Sequence, residues 1–194
     1  SQLPPMDELE EASKHTNIHD LIINEEDSTV YLQDENMSLD VGAIAKGYAA
    51  EQVVQNAIKH GYTDFVLSLG GNVRTVGKKG PEQELWDIGI QNPGKDSDKV
   101  SRYTLSISDV SLVASGDYER YYTVDGKRYH HIINPQTLMP AEYFTALSIA
   151  CKDSATADAL STALFNMSYE EGLSYVETLE DTHVLWVFPD GTMK

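Results

Sequence analysis

Cysteine is nearly missing from these 194 residues: Cys151 stands alone, so no internal disulfide can form. That excludes a small disulfide-stapled scaffold, and stability must come from a packed core. Positive charge is scarce too. Lys and Arg number 14 against 31 Asp and Glu, a formal net charge of −17. A nucleic-acid binder neutralises phosphates with clustered cations, so nucleic acid is excluded as a partner class. The same balance speaks against an anionic membrane surface. No apolar run approaches the ~18 residues of a spanning helix. No basic, apolar leader opens the sequence, so no signal peptide is expected within it. Repeats, heptads and low-complexity tracts are absent. So are His-Glu-x-x-His and Cys-x-x-Cys, which disfavours zinc.

What is present suffices for one domain. Apolar residues make up 41% of the chain, too many for disorder. An acidic, helix-compatible stretch runs from Asp7 to Lys14. Leu21-Ile22-Ile23 and Thr29-Val30-Tyr31-Leu32, separated by Glu25-Glu26-Asp27, predict a hairpin. The 3.6-residue spacing of Ile44, Tyr48, Val53 and Ala57 predicts a helix over Asp40 to His60, closed by Gly61. Phe65 to Leu69 reads as a buried strand ending in the tight turn Gly70-Gly71-Asn72. Trp86, Ile88 and Ile90, then Tyr103, Leu105 and Ile107, alternate as strands. Tyr129 to Ile133 and Ala146 to Cys151 continue that pattern, with Cys151 a small buried hydrophobe. Asn92-Pro93-Gly94 and Asp125-Gly126-Lys127 have turn chemistry. A second long helix starts at Asp153-Ser154, with Leu160, Ala163, Leu164 and Met167 as its apolar stripe. Ser168 and Glu171 match a capping box for a helix over Tyr169 to Leu179, and a strand follows at His183 to Phe188. Helices and antiparallel-looking strands mix without βαβ alternation, so the predicted fold class is α+β.

Three stretches carry candidate chemistry. Ser38 to Tyr48 sets small residues, Asp40 and Lys46 at a helix start. This is either an anion site, since the first N–H groups of a helix are unpaired, or simply a tightly packed helix entry. Asp158 and Thr162, four apart among alanines, share one helix face. They suit a hard cation such as Mg²⁺, or else a dipole-favoured acid with Thr162 bonding back to a carbonyl. His130 and His131 point to opposite faces of a strand, so one packs while the other can serve as a general base. Ser115, Asp117 and His131 also permit a hydrolase triad, although no nucleophile elbow surrounds Ser115.

These motifs, in this order, resemble the ApbE family, the FAD:protein FMN transferases long described as thiamine biosynthesis lipoproteins. The matching runs are Ser38 to Ala49, Leu69-Gly70-Gly71-Asn72, Ala114 to Arg120, Tyr129 to Pro135 and Ala157 to Ala163. The resemblance implies a T-fold-like α+β domain over 1–194. It implies Mg²⁺-dependent cleavage of FAD, with FMN moved to a Thr or Ser hydroxyl of an acceptor flavoprotein and AMP released. FAD pyrophosphatase activity and non-catalytic FAD binding are the alternatives. Carried over, Asp158, Thr162 and the Ala43 carbonyl look like metal ligands. Asp40, Lys46, Asp117 and the backbone at Ile132 look like FAD contacts, and His131 looks like the base. FAD carries two phosphate charges into a protein of net charge −17, so Mg²⁺ and Lys46 must make the site locally positive. The sequence departs from the family's Asp-Pro-Arg-Thr-Gly run at Asn134 and Leu138. The resemblance begins inside the family's chain. The N-terminal part that helps hold the flavin ring is therefore expected outside this sequence, along with a lipoprotein signal that implies extracytoplasmic, membrane-tethered placement.

Overall fold

A computed structural model describes residues 2–91 and 101–194. The turn expected at Asn92-Pro93-Gly94 lies outside the described residues. The elements are α1 (Met6–Ser13), β1 (Leu21–Asn24), β2 (Thr29–Leu32), α2 (Ala45–Lys59), β3 (Phe65–Leu69), β4 (Asn72–Val76), β5 (Trp86–Gln91), β6 (Ser101–Ile107), β7 (Ser111–Gly116), β8 (Tyr121–Val124), β9 (Lys127–His130), β10 (Ala146–Cys151), α3 (Ser154–Phe165), α4 (Tyr169–Val176) and β11 (His183–Val187). Five strands form the central sheet in the order β11-β10-β7-β4-β3, every pair antiparallel. Three hairpins, β1–β2, β5–β6 and β8–β9, stand as separate two-stranded ribbons. The α+β expectation thus holds, with antiparallel pairing throughout the described strands. No helix among the described residues is long and apolar enough to cross a membrane.

Helices α2 and α3 pack against each other and against one face of the sheet. The period-2 geometry of β10 explains its unbroken apolar run. Leu147, Ile149 and Cys151 join Val113, Ala157, Leu164 and Phe165 in the core under α3, whereas Ala150 joins Leu112 and Ile90 beneath β5–β6. A strand covered on both faces has no solvent side to mark with polar residues. The stripe predicted for α3 is corrected at one position. Ala163 is exposed, while Phe165 is fully buried, edge-on to His130 and Phe144.

Boundaries move where side chains compete for backbone. The helix expected from Asp40 begins at Ala45, because Asp40 Oδ1 accepts the Gly42 N–H at 2.6 Å and bends the chain first. The strand expected over Tyr129 to Ile133 stops at His130: the His131 N–H turns to the Arg120 carbonyl at 3.1 Å, and the Ile132 N–H to His130 Nδ1 at 3.3 Å. Helix α4 keeps the Ser168–Glu171 capping box but ends at Val176, where the Leu179 N–H bonds to the Val176 carbonyl in a tightened turn. Gly70 and Gly71, both at positive φ, form a two-residue hairpin turn, and β4 begins at Asn72 directly after it.

Candidate functional site

One cavity of about 420 Å³ gathers most of the predicted residues. Asp40, Ala43, Lys46, Ser115, Glu119, Arg120, His131, Ile132, Asp158, Thr162 and Asn166 all line it. They arrive from the turn before α2, the first turn of α2, the end of β7, the exit of β9 and one face of α3. Asp117 stands apart from this group. It lines a second cavity of about 680 Å³ beside His130 and Tyr143, and burial there raises its carboxyl pKa against the opposing influence of His130.

Asp158 is the electrostatic centre. Its side chain is 4% exposed. Oδ2 accepts the Gly47 N–H at 2.8 Å, and Oδ1 accepts from Lys46 Nζ at 3.1 Å. The bond to Gly47 depends on close helix contact: a Cβ at Gly47 would lie 2.2 Å from the Ser154 carbonyl oxygen and 2.6 Å from Asp158 Cβ. The Gly47 N–H is one of the unpaired donors at the start of α2, and Ala43 stands before the Ile44 N-cap, so the Ala43 carbonyl accepts no bond of the helical ladder; the residue lines the cavity. Thr162 is similarly available. The back-bond to the Asp158 carbonyl is made by Ser161 Oγ at 2.8 Å, and the Thr162 hydroxyl makes no hydrogen bond among the described residues. One carboxylate, one hydroxyl and one carbonyl are oxygen donors of the kind a hard divalent cation takes.

The two histidines divide as their alternation predicts. His130 is buried, with Nε2 2.8 Å from the Ala141 carbonyl and Nδ1 accepting from Ile132 N, so it packs. His131 lines the cavity, with Nδ1 3.3 Å from the Arg120 carbonyl. A carbonyl only accepts, so Nδ1 carries the proton and Nε2 presents a lone pair. Loss of water around the ring lowers the His131 pKa, with the Arg120 carbonyl opposing, so the imidazole is neutral near pH 7. The hydrolase triad does not form. Ser115 Oγ pairs with Ser161 Oγ at 2.8 Å, and Asp117 sits in the other cavity.

Residues that sequence reasoning left without a role complete the site. Asn72, 1% exposed, accepts from Lys46 Nζ at 3.4 Å. Asn166, two turns beyond Asp158, donates to the Thr162 carbonyl at 3.2 Å, and its Oδ1 is buried without a partner. Its spacing of four from Thr162 was the available signal. At the departure from the family run, Asn134 Oδ1 accepts from Gln136 N and Thr137 N, and Leu138 takes φ of +57°. The turn is made with Leu in a left-handed conformation.

This antiparallel α+β body has relatives among known proteins. The ApbE family model covers residues 1–186, and the chain belongs to the ApbE family. It is 39% identical over 170 residues to an FAD:protein FMN transferase of Treponema pallidum (strain Nichols), covering 84% of this chain and 47% of the relative. A second FAD:protein FMN transferase, of Klebsiella pneumoniae (strain 342), is 35% identical over 173 residues, covering 89% and 52%. The crystal structure of the ApbE protein of Thermotoga maritima superposes with a TM-score of 0.88 at 33% identity, over 100% of this chain and 62% of that one. The flavin transferase ApbE of Vibrio cholerae gives 0.80 at 27% identity, over 100% and 60%. The chain spans about half the length of the curated relatives it matches.

Proposed function

We propose that this chain carries the catalytic cavity of an FAD:protein FMN transferase, moving FMN from FAD to a Thr or Ser hydroxyl of an acceptor flavoprotein and releasing AMP. The carrying observation is the placement of His131: its ring lines the cavity that holds Lys46 and Asp158, with Nδ1 3.3 Å from the Arg120 carbonyl, an acceptor that favours the proton on Nδ1 and leaves Nε2 as the base. His131 takes the proton of the acceptor hydroxyl, whose oxygen bonds to the FMN phosphorus as the bond to AMP breaks. Lys46 places a full positive charge against the diphosphate, and the Ile132 backbone and Asp40 contribute to the wall that orients FAD. Asp158, Thr162 and the Ala43 carbonyl would hold Mg²⁺. The ion, when bound, neutralises charge developing on the phosphoryl oxygens. The T-fold-like kinship, a single domain over 1–194 and extracytoplasmic, lipid-tethered placement belong to the same proposal, supported by the family resemblance.

The test is incubation of the chain with FAD, Mg²⁺ and an acceptor domain bearing a Thr, followed by intact-mass analysis of the acceptor. Covalent FMN on the acceptor is the expected result. FAD returned intact, while the Treponema pallidum relative modifies the same acceptor, would overturn the proposal. Free FMN and AMP without acceptor modification would reassign the cavity to a pyrophosphatase.

A further inference from the structure

We infer that Lys46 is the resident counter-ion of Asp158, and that a divalent cation enters this site by exchange with the Lys46 ammonium. The inference rests on the metal role given above to Asp158. A carboxylate this deeply buried requires a charge partner, because unpaired ionisation away from water is costly. Among the described residues the partner is Lys46, with Nζ 3.1 Å from Oδ1, while the Gly47 N–H holds Oδ2. A Mg²⁺ ion binds carboxylate oxygen at about 2.0–2.1 Å in octahedral geometry. An ammonium on the same oxygen would stand against that ion with like charge and no intervening solvent. The two cations therefore alternate on Oδ1.

The surroundings suit such an exchange. The Lys46 side chain is 40% exposed, so its stem can swing while Asp158 stays fixed. Asn72 gives the ammonium a second acceptor that does not depend on Asp158, with Oδ1 3.4 Å from Nζ. The orientation of this amide is determined, because turning it over would set its NH₂ donor against the ammonium donors. The buried Nδ2 remains without a partner, so it is the contact to Lys46 that holds the acceptor on that side. In consequence the lysine becomes free for a diphosphate only once the metal has taken Asp158, and an unloaded site does not offer its lysine to FAD.

The test uses the whole chain, without FAD. Mg²⁺ binding is measured by calorimetry for the wild type, Lys46→Met, Lys46→Gln and Asp158→Asn. Acylation of Lys46 by a small activated ester is followed by peptide mass spectrometry with and without Mg²⁺. Exchange predicts that Mg²⁺ raises wild-type Lys46 labelling. It also predicts that both Lys46 variants bind Mg²⁺ about tenfold more tightly, the scale of one charge-assisted hydrogen bond no longer displaced. Asn72→Leu should raise Lys46 labelling further in the Mg²⁺-loaded protein. Unchanged wild-type labelling, or variants binding no more tightly, overturns the exchange and leaves the metal site standing if Asp158→Asn has lost binding. Absence of wild-type Mg²⁺ binding, or full binding by Asp158→Asn, removes the metal site and the exchange with it.

Discussion

Gly47 donates its backbone N–H to Asp158 Oδ2 across the contact between α2 and α3, so a side chain on one helix caps the start of the other. Helix α2 needs that help. Ile44 at its N-cap provides no side-chain bond, and its first turn holds no acid. The carboxylate at the centre of the cavity is thus also a structural cap, and the glycine that lets the helices meet fixes where it lies.

Gly47→Ala should reveal this coupling. In an ordinary helix interior the change stabilises by about 1 kcal/mol. Here the new Cβ would stand 2.2 Å from the Ser154 carbonyl oxygen, backbone that cannot step aside. Overpacking of this kind costs roughly 1–3 kcal/mol, and the capping bond is strained as well. Urea unfolding should show a lower midpoint with an unchanged slope, and a higher midpoint would contradict the close helix contact.

Glu51 and Arg74 fasten the same helix pair from behind. Glu51 Oε2 accepts from Arg74 Nε at 3.3 Å and from Ser154 N at 3.0 Å, all buried. Glu51→Ala leaves the guanidinium without its carboxylate and should cost about 3–5 kcal/mol. The double variant Glu51→Ala/Arg74→Met should lose less than the sum of the single changes in denaturant titrations. Strict additivity would mean that the pair is not coupled.

Periodicity was enough to find α2, α3, the strands β5 and β6 and the strand at Phe65, because each shows a face or alternation that burial imposes. It failed for β4. Asn72, Arg74 and Thr75 are buried there by partners distant in sequence, Lys46, Glu51 and Val110, and nothing local advertises that. Asp158, Thr162, Lys46 and His131 stood out as residue types in unusual company, and the fold brings them to one cavity. Asp117 stands apart for a simple reason. Gly116 ends β7, and the next residue crosses to the neighbouring cavity, a step that spacing along the chain does not report.

Leu138 offers a test of local strain. Its φ of +57° lies in the left-handed region, which costs a residue with a Cβ roughly 1–2 kcal/mol. Leu138→Gly and Leu138→Ala both remove the side chain, and only the first relieves the backbone. The glycine variant should be the more stable of the two by about 1 kcal/mol, the reverse of their usual order. The comparison is read from thermal midpoints. If alanine proves equal or better, the turn following Asn134 is not left-handed in solution.

His131 gives the sharpest dependence on pH. Partial loss of water around a ring that still reaches solvent holds its pKa below the ordinary 6.5. Only the neutral ring has a lone pair on Nε2, so transferase kcat/KM should rise with pH through that lowered value and be level above about 6.5. Stability follows the same sign. Between the lowered folded pKa and 6.5 the unfolded chain binds more protons, so stability increases as pH rises through that window and is complete above it. His131→Ala should cut kcat by about 10²-fold or more and remove the acid limb of the rate profile. Retention of that limb in the variant would assign it to another group and take the base role from His131.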